Sequence, residues 1–155
     1  MCGIAGIFSS KPRGLEAIAP MTRAQAHRGP DGEGFALVDA EGRCSIVHNR
    51  PLSNAGHLAL GHRRLAILDT SAAGLQPMAS AAGDLAICYN GEVYNYVELR
   101  EELKGTGSRF QTGTDTEVIL EAYRRWGTDA FSRFNGMWAL AIWDGRRREL
   151  ILSRD

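Results

Sequence analysis

The residue with the most chemical potential in this 155-residue sequence is its second, Cys2, in the opening stretch MCGIAGIF. Cysteine is small enough for Met1 to be removed in front of it, and Cys2 would then carry a thiol and a free α-amine on one residue. A thiol of pKa about 8.5 is only slightly ionised at neutral pH, and an α-amine of pKa about 7.7–8.0 beside it can take the proton. Such a residue is a nucleophile with its base attached. Acyl transfer from an amide would also require donors for an oxyanion, groups for the leaving amine and recognition of the substrate's fixed charges. Cys2 alone does not establish this chemistry, because second-position cysteines also occur as plain strand residues.

Other chemistries find less support. No Gly-x-x-x-x-Gly-Lys loop is present, and GPDGEG has its glycines in the wrong order for a dinucleotide fingerprint. His27, His48, His57 and His62, taken with Cys2, Cys44 and Cys88, lack the close paired spacings of a zinc site, so the histidines read as hydrogen-bonding residues of core or surface. Cys44 and Cys88 stand in apolar runs (CSIV, AICY) and read as small buried hydrophobes. Three widely spaced cysteines and no secretory leader point to reduced thiols in a cytoplasm.

The elements that must position Cys2 follow from periodicity. GIAGIF suits a short buried strand, and Leu15, Ile18 and Thr22 predict a helix over 14–26 that RGPDGEG then breaks. GFALV, CSIVH and LALGHRRLAIL read as strands, the last two joined by a polar Gly- and Pro-bearing link. After the loose stretch TSAAGLQPMASAAGD, the strand LAICY runs into NGEVYN. Asn95 with Glu98 predicts a capping box that opens a helix with Tyr96, Leu99 and Leu103 on one face. Thr114 with Glu117 predicts a second one, before a helix striped by Ile119, Ala122 and Trp126 and stopped by Gly127. MWALAIWD, a DG turn and ELILS predict a terminal hairpin, with Arg146–Arg148 as its solvated tip. Strands, then helices, then strands make an α+β domain with mainly antiparallel sheet.

Composition sets the outer limits. The length fits one domain with a real core. Lys+Arg and Asp+Glu balance at 18 each, so no global field favours nucleic acid or an anionic membrane, and no apolar run approaches the ~20 residues of a membrane span.

Taken in order, MCGIAGIF, HRGPDGEG, HRRLAILD, QPM, YNGEVYN, TGTDTEVIL, FNGMWALAIWD and SRD resemble the glutaminase domain of class II glutamine amidotransferases, the N-terminal-nucleophile type. Within that group the segments look most like glutamine-hydrolysing asparagine synthetase. The resemblance implies a four-layer αββα sandwich. It implies that Cys2 attacks the side-chain amide of glutamine, releasing ammonia and leaving a glutamyl thioester that water resolves to glutamate. It implies Asn90 and Gly91 as the oxyanion hole; the same dipeptide in isolation reads as a type I′ turn. Arg64 would hold the substrate α-carboxylate, with Arg63 pointing to the other face of its strand, and the backbone of Leu65, Ala66, Ile67 and Leu68 would line the pocket. Asp115 would pair with the α-ammonium, supported by Glu92, although an aspartate in a first helical turn is also ordinary dipole compensation. Arg28 and Asp31 would shape the loop that closes the site. Tyr89, Tyr94 and Trp138 read as core or pocket wall.

No cofactor is implied for this domain; ATP and magnesium are expected on a synthetase domain, in cis or in trans, which the sequence does not contain. The expected unit is therefore a glutaminase domain over 1–155 that lacks its last strands and the ATP-dependent part. Glutamine is the expected small-molecule partner, a homodimer is compatible, and nucleic acid and membrane are not expected. Other readings stay open: a phosphosugar or phosphoribosyl amidotransferase, a β-lactam-forming relative with an inert glutaminase domain, or, with Met1 retained, a non-catalytic glutamine-binding or docking module.

Overall fold

The computed structural model describes residues 1–48 and 55–155. The link at 49–54, read above as polar and Pro-bearing, lies outside them.

Two four-stranded antiparallel sheets face each other. The first has the order β1-β4-β2-β3 and the second β5-β6-β7-β8. Their strands are β1 (Gly3–Gly14), β2 (Gly32–Val38), β3 (Cys44–His48), β4 (Ala55–Arg64), β5 (Met78–Ala79), β6 (Leu85–Val93), β7 (Gly136–Asp144) and β8 (Glu149–Arg154). Side chains alternate across each strand, so each sheet has two faces to cover. Ala36, Val38, Leu58 and Leu60 of the first sheet meet Ala86, Cys88, Ala141 and Trp143 of the second. On its outer face the first sheet buries Phe35, Leu37 and Ala59 with Leu15 and with Ile18 of α1 (Ile18–Arg23). The outer face of the second buries Leu85, Ile87 and Tyr89 under α2 (Tyr96–Gly105) and α3 (Asp115–Trp126). The four layers are thus α, β, β, α, as expected. No helix among the described residues is long and apolar enough to cross a membrane.

Several elements depart from the sequence reading. β1 runs beyond GIAGIF to Gly14, with its register against β4 interrupted between Phe8 and Arg13. As an edge strand it pairs on one side only, which is why Pro12 is tolerated there. The helix expected over 14–26 contracts to Ile18–Arg23. The LAIL that follows Arg64 is not strand: β4 loses both neighbours there, since its last partners are Gly3 of β1, opposite Arg63, and Gly32 of β2, opposite Arg64.

Asn95 precedes α2 but does not cap it. Its side chain instead donates to the Arg133 carbonyl (3.0 Å) and accepts from Asn135 N–H (2.9 Å), a tertiary use of an amide that local patterning cannot foresee. Thr114 does cap α3, accepting from Glu117 N–H at 3.2 Å. The Glu117 carboxylate reaches further back than a capping box requires, to the N–H groups of Gln111 (2.8 Å) and Thr112 (2.7 Å). α3 stops at Gly127, whose φ of +62° suits a residue without Cβ. The β7–β8 hairpin forms, and Arg146, Arg147 and Arg148 are exposed at its tip.

Candidate active site

Arg63 and Arg64 end β4 on opposite faces, as strand alternation requires. Arg63 turns outward, to Glu33 (3.2 Å) and the Gly29 carbonyl (2.9 Å). Arg64 turns between the sheets and is buried. Its guanidinium is wrapped by the chain that follows it: Nη1 donates to the Ser71 carbonyl (2.7 Å), and Nη2 donates to the carbonyls of Leu68 (3.3 Å) and Asp69. Nε has no partner among the described residues.

Cys2 is brought to the same end of β4. Its Sγ accepts the Leu65 N–H at 3.3 Å and lies 3.7 Å from the Leu65 carbonyl. Its own carbonyl accepts from Arg28 Nε at 3.0 Å. Asp31 accepts the Ala66 N–H at 2.9 Å and donates its backbone N–H to the Arg64 carbonyl at 2.9 Å. The 28–31 turn therefore holds both the thiol-bearing residue and the loop after Arg64. Gly29 sits so close that a Cβ there would fall 2.5 Å from Arg63 backbone atoms.

β6 supplies the facing wall. Asn90 and Gly91 are mid-strand, opposite Ala139 and Trp138 of β7, so the turn reading of the isolated dipeptide is corrected. Ladder pairing overrides the local preference of Asn-Gly. The N–H groups of residues 89, 91 and 93 leave the strand on the side away from β7. The first donates to Gln76 Oε1 (2.6 Å), and the last to Asp115 Oδ2 (3.1 Å). By period-two geometry the Gly91 N–H points between these two, with no partner among the described residues. Gly91 packs so tightly on β7 that a Cβ would lie 2.1 Å from the Met137 carbonyl oxygen. Asn90 carries its amide on the face between the sheets; its Oδ1 is buried, with no partner among the described residues.

Asp115 begins α3, directly after its Thr114 cap. Besides the Val93 N–H it accepts the Tyr89 hydroxyl at 2.8 Å. Burial pushes its carboxyl above the ordinary value, against the pull of those two donors. Burial, reinforced by the Asp115 charge, also pushes the Tyr89 phenol up. Between the sheets, His62 lies with Nε2 3.0 Å from the Tyr89 carbonyl, and burial drives its pKa down to about 4.

One cavity of about 440 Å³ takes in Cys2, Arg64, Asn90, Gly91, Glu92 and Asp115. Of the loop after Arg64, Leu65, Ile67 and Leu68 line it; Ala66 stands off its wall, tied to Asp31. Glu92 lines it without a hydrogen bond to Asp115 among the described residues, whose partners are Tyr89 and Val93. Trp138 is a wall, whereas Tyr94 is 53% exposed. Sequence reasoning missed three residues that hold the site's groups: Gln76, which spans Tyr89 N–H and Thr116 Oγ1 (3.4 Å), Tyr89 as partner of Asp115, and Asp69, whose carbonyl accepts from Arg64. For Gln76 the signal was its place in the QPM segment. Tyr89 and Asp69 likewise stand in the YNGEVYN and HRRLAILD segments, but nothing in either marks these contacts.

Of the remaining candidates, Cys88 is fully buried with its thiol pushed up, and Cys44 is pushed up to about 11, both by burial. Among the described residues no group of three or more His, Cys, Asp or Glu is placed to hold a metal ion.

Comparison with known proteins gives the family and the fold. A family model described as a glutamine amidotransferase domain matches residues 1–155. The chain is 41% identical over 170 residues to a putative glutamine-hydrolysing asparagine synthetase 2 of Methanocaldococcus jannaschii, and 37% identical over 160 residues to glutamine-hydrolysing asparagine synthetase 1 of Bacillus subtilis. All of the chain is covered in both, but only 30% and 22% of those relatives' own length. Among solved structures, a glutamine phosphoribosylpyrophosphate amidotransferase from B. subtilis, complexed with ADP and GMP, aligns with a TM-score of 0.75 at 26% identity. That alignment covers 99% of this chain and 36% of the other. With a matching family model along the whole sequence, and the thiol, the arginine, the Asn-Gly pair and the aspartate around one cavity, the chain belongs to the glutamine amidotransferase domain family.

Proposed function

We propose that this domain hydrolyses the side-chain amide of glutamine to glutamate and ammonia through a thioester on Cys2. The observation that carries the reading is the shared cavity, lined by the Cys2 thiol, by Asn90 and Gly91 and by the oppositely charged Arg64 and Asp115. Once Met1 is removed, the Cys2 α-amine takes the thiol proton and the sulfur attacks the amide carbon. Asn90, through its amide N–H₂, and the Gly91 N–H stabilise the oxyanion; a Gly in the strand lets backbone approach the substrate. The C–N bond then breaks, ammonia leaves with a proton returned by the α-amine, and a glutamyl thioester remains. Water attacks the thioester, the α-amine again serving as base, and glutamate departs as the thiol re-forms.

Arg64 meets the substrate α-carboxylate and Asp115 the α-ammonium, which selects a free α-amino acid over a protein amide. No step here uses a metal. In this reading the ammonia passes to a synthetase domain, in cis or in trans, where ATP and magnesium activate aspartate. The naming of the relatives supports asparagine synthesis as the use; the phosphoribosyl amidotransferase likeness keeps a different acceptor as the second reading. The three free cysteines suit a cytoplasmic setting.

The test is intact mass of the purified chain followed by glutamate release from glutamine, with Cys2→Ala alongside. Loss of Met1 with turnover that vanishes in the variant is the expected result. A processed chain that binds glutamine without hydrolysing it would point to a binding module.

A further inference from the structure

Asp69 makes more tertiary connections than its exposed loop would require. It is one of two non-glycine residues with positive φ (+47°) among the described residues, a conformation that aspartate tolerates better than most side chains. In that conformation its carbonyl accepts from the Arg64 guanidinium. Its Oδ1 accepts from Ser71, by the hydroxyl (2.5 Å) and the backbone N–H (3.3 Å). Its Oδ2 accepts the Gly113 N–H at 3.0 Å, 44 residues away. Gly113 is two residues before Asp115, in a loop that Arg100 also holds, through the carbonyls of Thr112 (2.7 Å) and Thr114 (2.8 Å). One residue thus ties the carbonyl cage around Arg64 to the cap of the helix that carries Asp115.

We propose that Asp69 is a positioning residue that sets the separation between Arg64 and Asp115, and so the length of α-amino acid the pocket selects. This rests on the glutaminase reading. Glutamine must satisfy both charged groups and still place its amide carbon at Cys2. If the two loops part, binding and length selection weaken, while the thiol, held by Arg28 and the Leu65 N–H and not through Asp69, keeps its setting. The Ser71 hydroxyl first, then the Gly113 and Ser71 N–H groups and the Arg64 charge, hold the Asp69 carboxyl below its ordinary value, so it remains an acceptor at neutral pH.

The experiment uses the full chain with Met1 removed. Asp69→Asn keeps the tolerance for positive φ and an oxygen for Ser71, but puts an N–H₂ where Gly113 needs an acceptor. Its KM for glutamine is expected to rise roughly tenfold, the weight of one hydrogen bond to a charged acceptor, with kcat changed less than about threefold. Alkylation of Cys2 by a glutamine-shaped diazoketone should slow by a similar factor, while alkylation by iodoacetamide, which needs neither Arg64 nor Asp115, stays the same. Preference for glutamine over asparagine as substrate should also narrow. Asp69→Ala should show the same split more strongly, and thermal melting of both variants reports the fold. Unchanged KM and labelling would overturn the proposal, as would equal loss of kcat and of both alkylations. Wild-type protein that releases no glutamate and is not labelled by the diazoketone would instead overturn the glutaminase reading itself, and the proposal with it.

Discussion

The Leu65 N–H donates to the Cys2 sulfur at 3.3 Å, across 63 residues of sequence. The N–H that holds the sulfur in place comes from the residue directly after Arg64. The group that would read the substrate carboxylate and the donor that steadies the nucleophile are consecutive in the chain. Nucleophile and recognition therefore meet at the end of β4.

Arg28 is the other hold on Cys2, through its carbonyl. Arg28→Ala should lower kcat for glutamine hydrolysis by roughly tenfold with little change in KM, because it loosens the nucleophile and leaves both charge-reading groups in place. Steady-state kinetics give that split. A rise in KM with kcat intact would assign Arg28 to substrate binding instead.

Gly91→Ala tests the strand at the oxyanion position. The added Cβ would lie 2.1 Å from the Met137 oxygen and 2.7 Å from Trp138 Cα, both backbone, so β6 and β7 must part. A destabilisation of about 1–3 kcal/mol is expected in denaturant unfolding, together with loss of hydrolysis.

Tyr89→Phe removes a bond that favours charged Asp115, whose carboxyl burial already raises. The carboxyl should move up further. Binding of the substrate ammonium needs the carboxylate and is lost as pH falls through that pKa, so the variant should lose glutamine affinity at a higher pH than wild type. KM measured against pH shows the direction of the displacement.

His62 should make stability depend on pH. Its pKa is 6.5 when unfolded and about 4 in the fold, so between those values the unfolded chain binds more protons. Stability is full above about 6.5 and is lost as pH falls towards 4. The difference corresponds to about 3 kcal/mol. Urea unfolding at several pH values should show this slope in wild type, reduced in His62→Gln; Asp115, with its carboxyl raised, slopes the opposite way, and the comparison of the two proteins removes it.

Much of this protein is decided by its sequence alone. The apolar alternation of LAICY and MWALAIWD, the Thr114 cap and the stripe of α3 are local patterns, and local patterns specify strands, helix ends and buried faces. Cys2 stood out because a thiol beside a free α-amine carries chemistry that few residues can; Arg64, the Asn90-Gly91 pair and Asp115 were marked only by the resemblance of their motifs to a known family.

What only the tertiary structure decided is how those residues meet. Asn-Gly reads as a turn until β7 pairs with it, and Asn95 reads as a cap until Arg133 and Asn135 claim its amide. LAIL reads as strand until β4 runs out of neighbours at Arg64. The ties made by Tyr89, Gln76 and Asp69 join residues 13 to 44 positions apart. No sequence period links such positions; the packing of α3 on the second sheet and of the loops around residues 69, 76 and 113 does, because most buried polar groups pair wherever the fold supplies a partner.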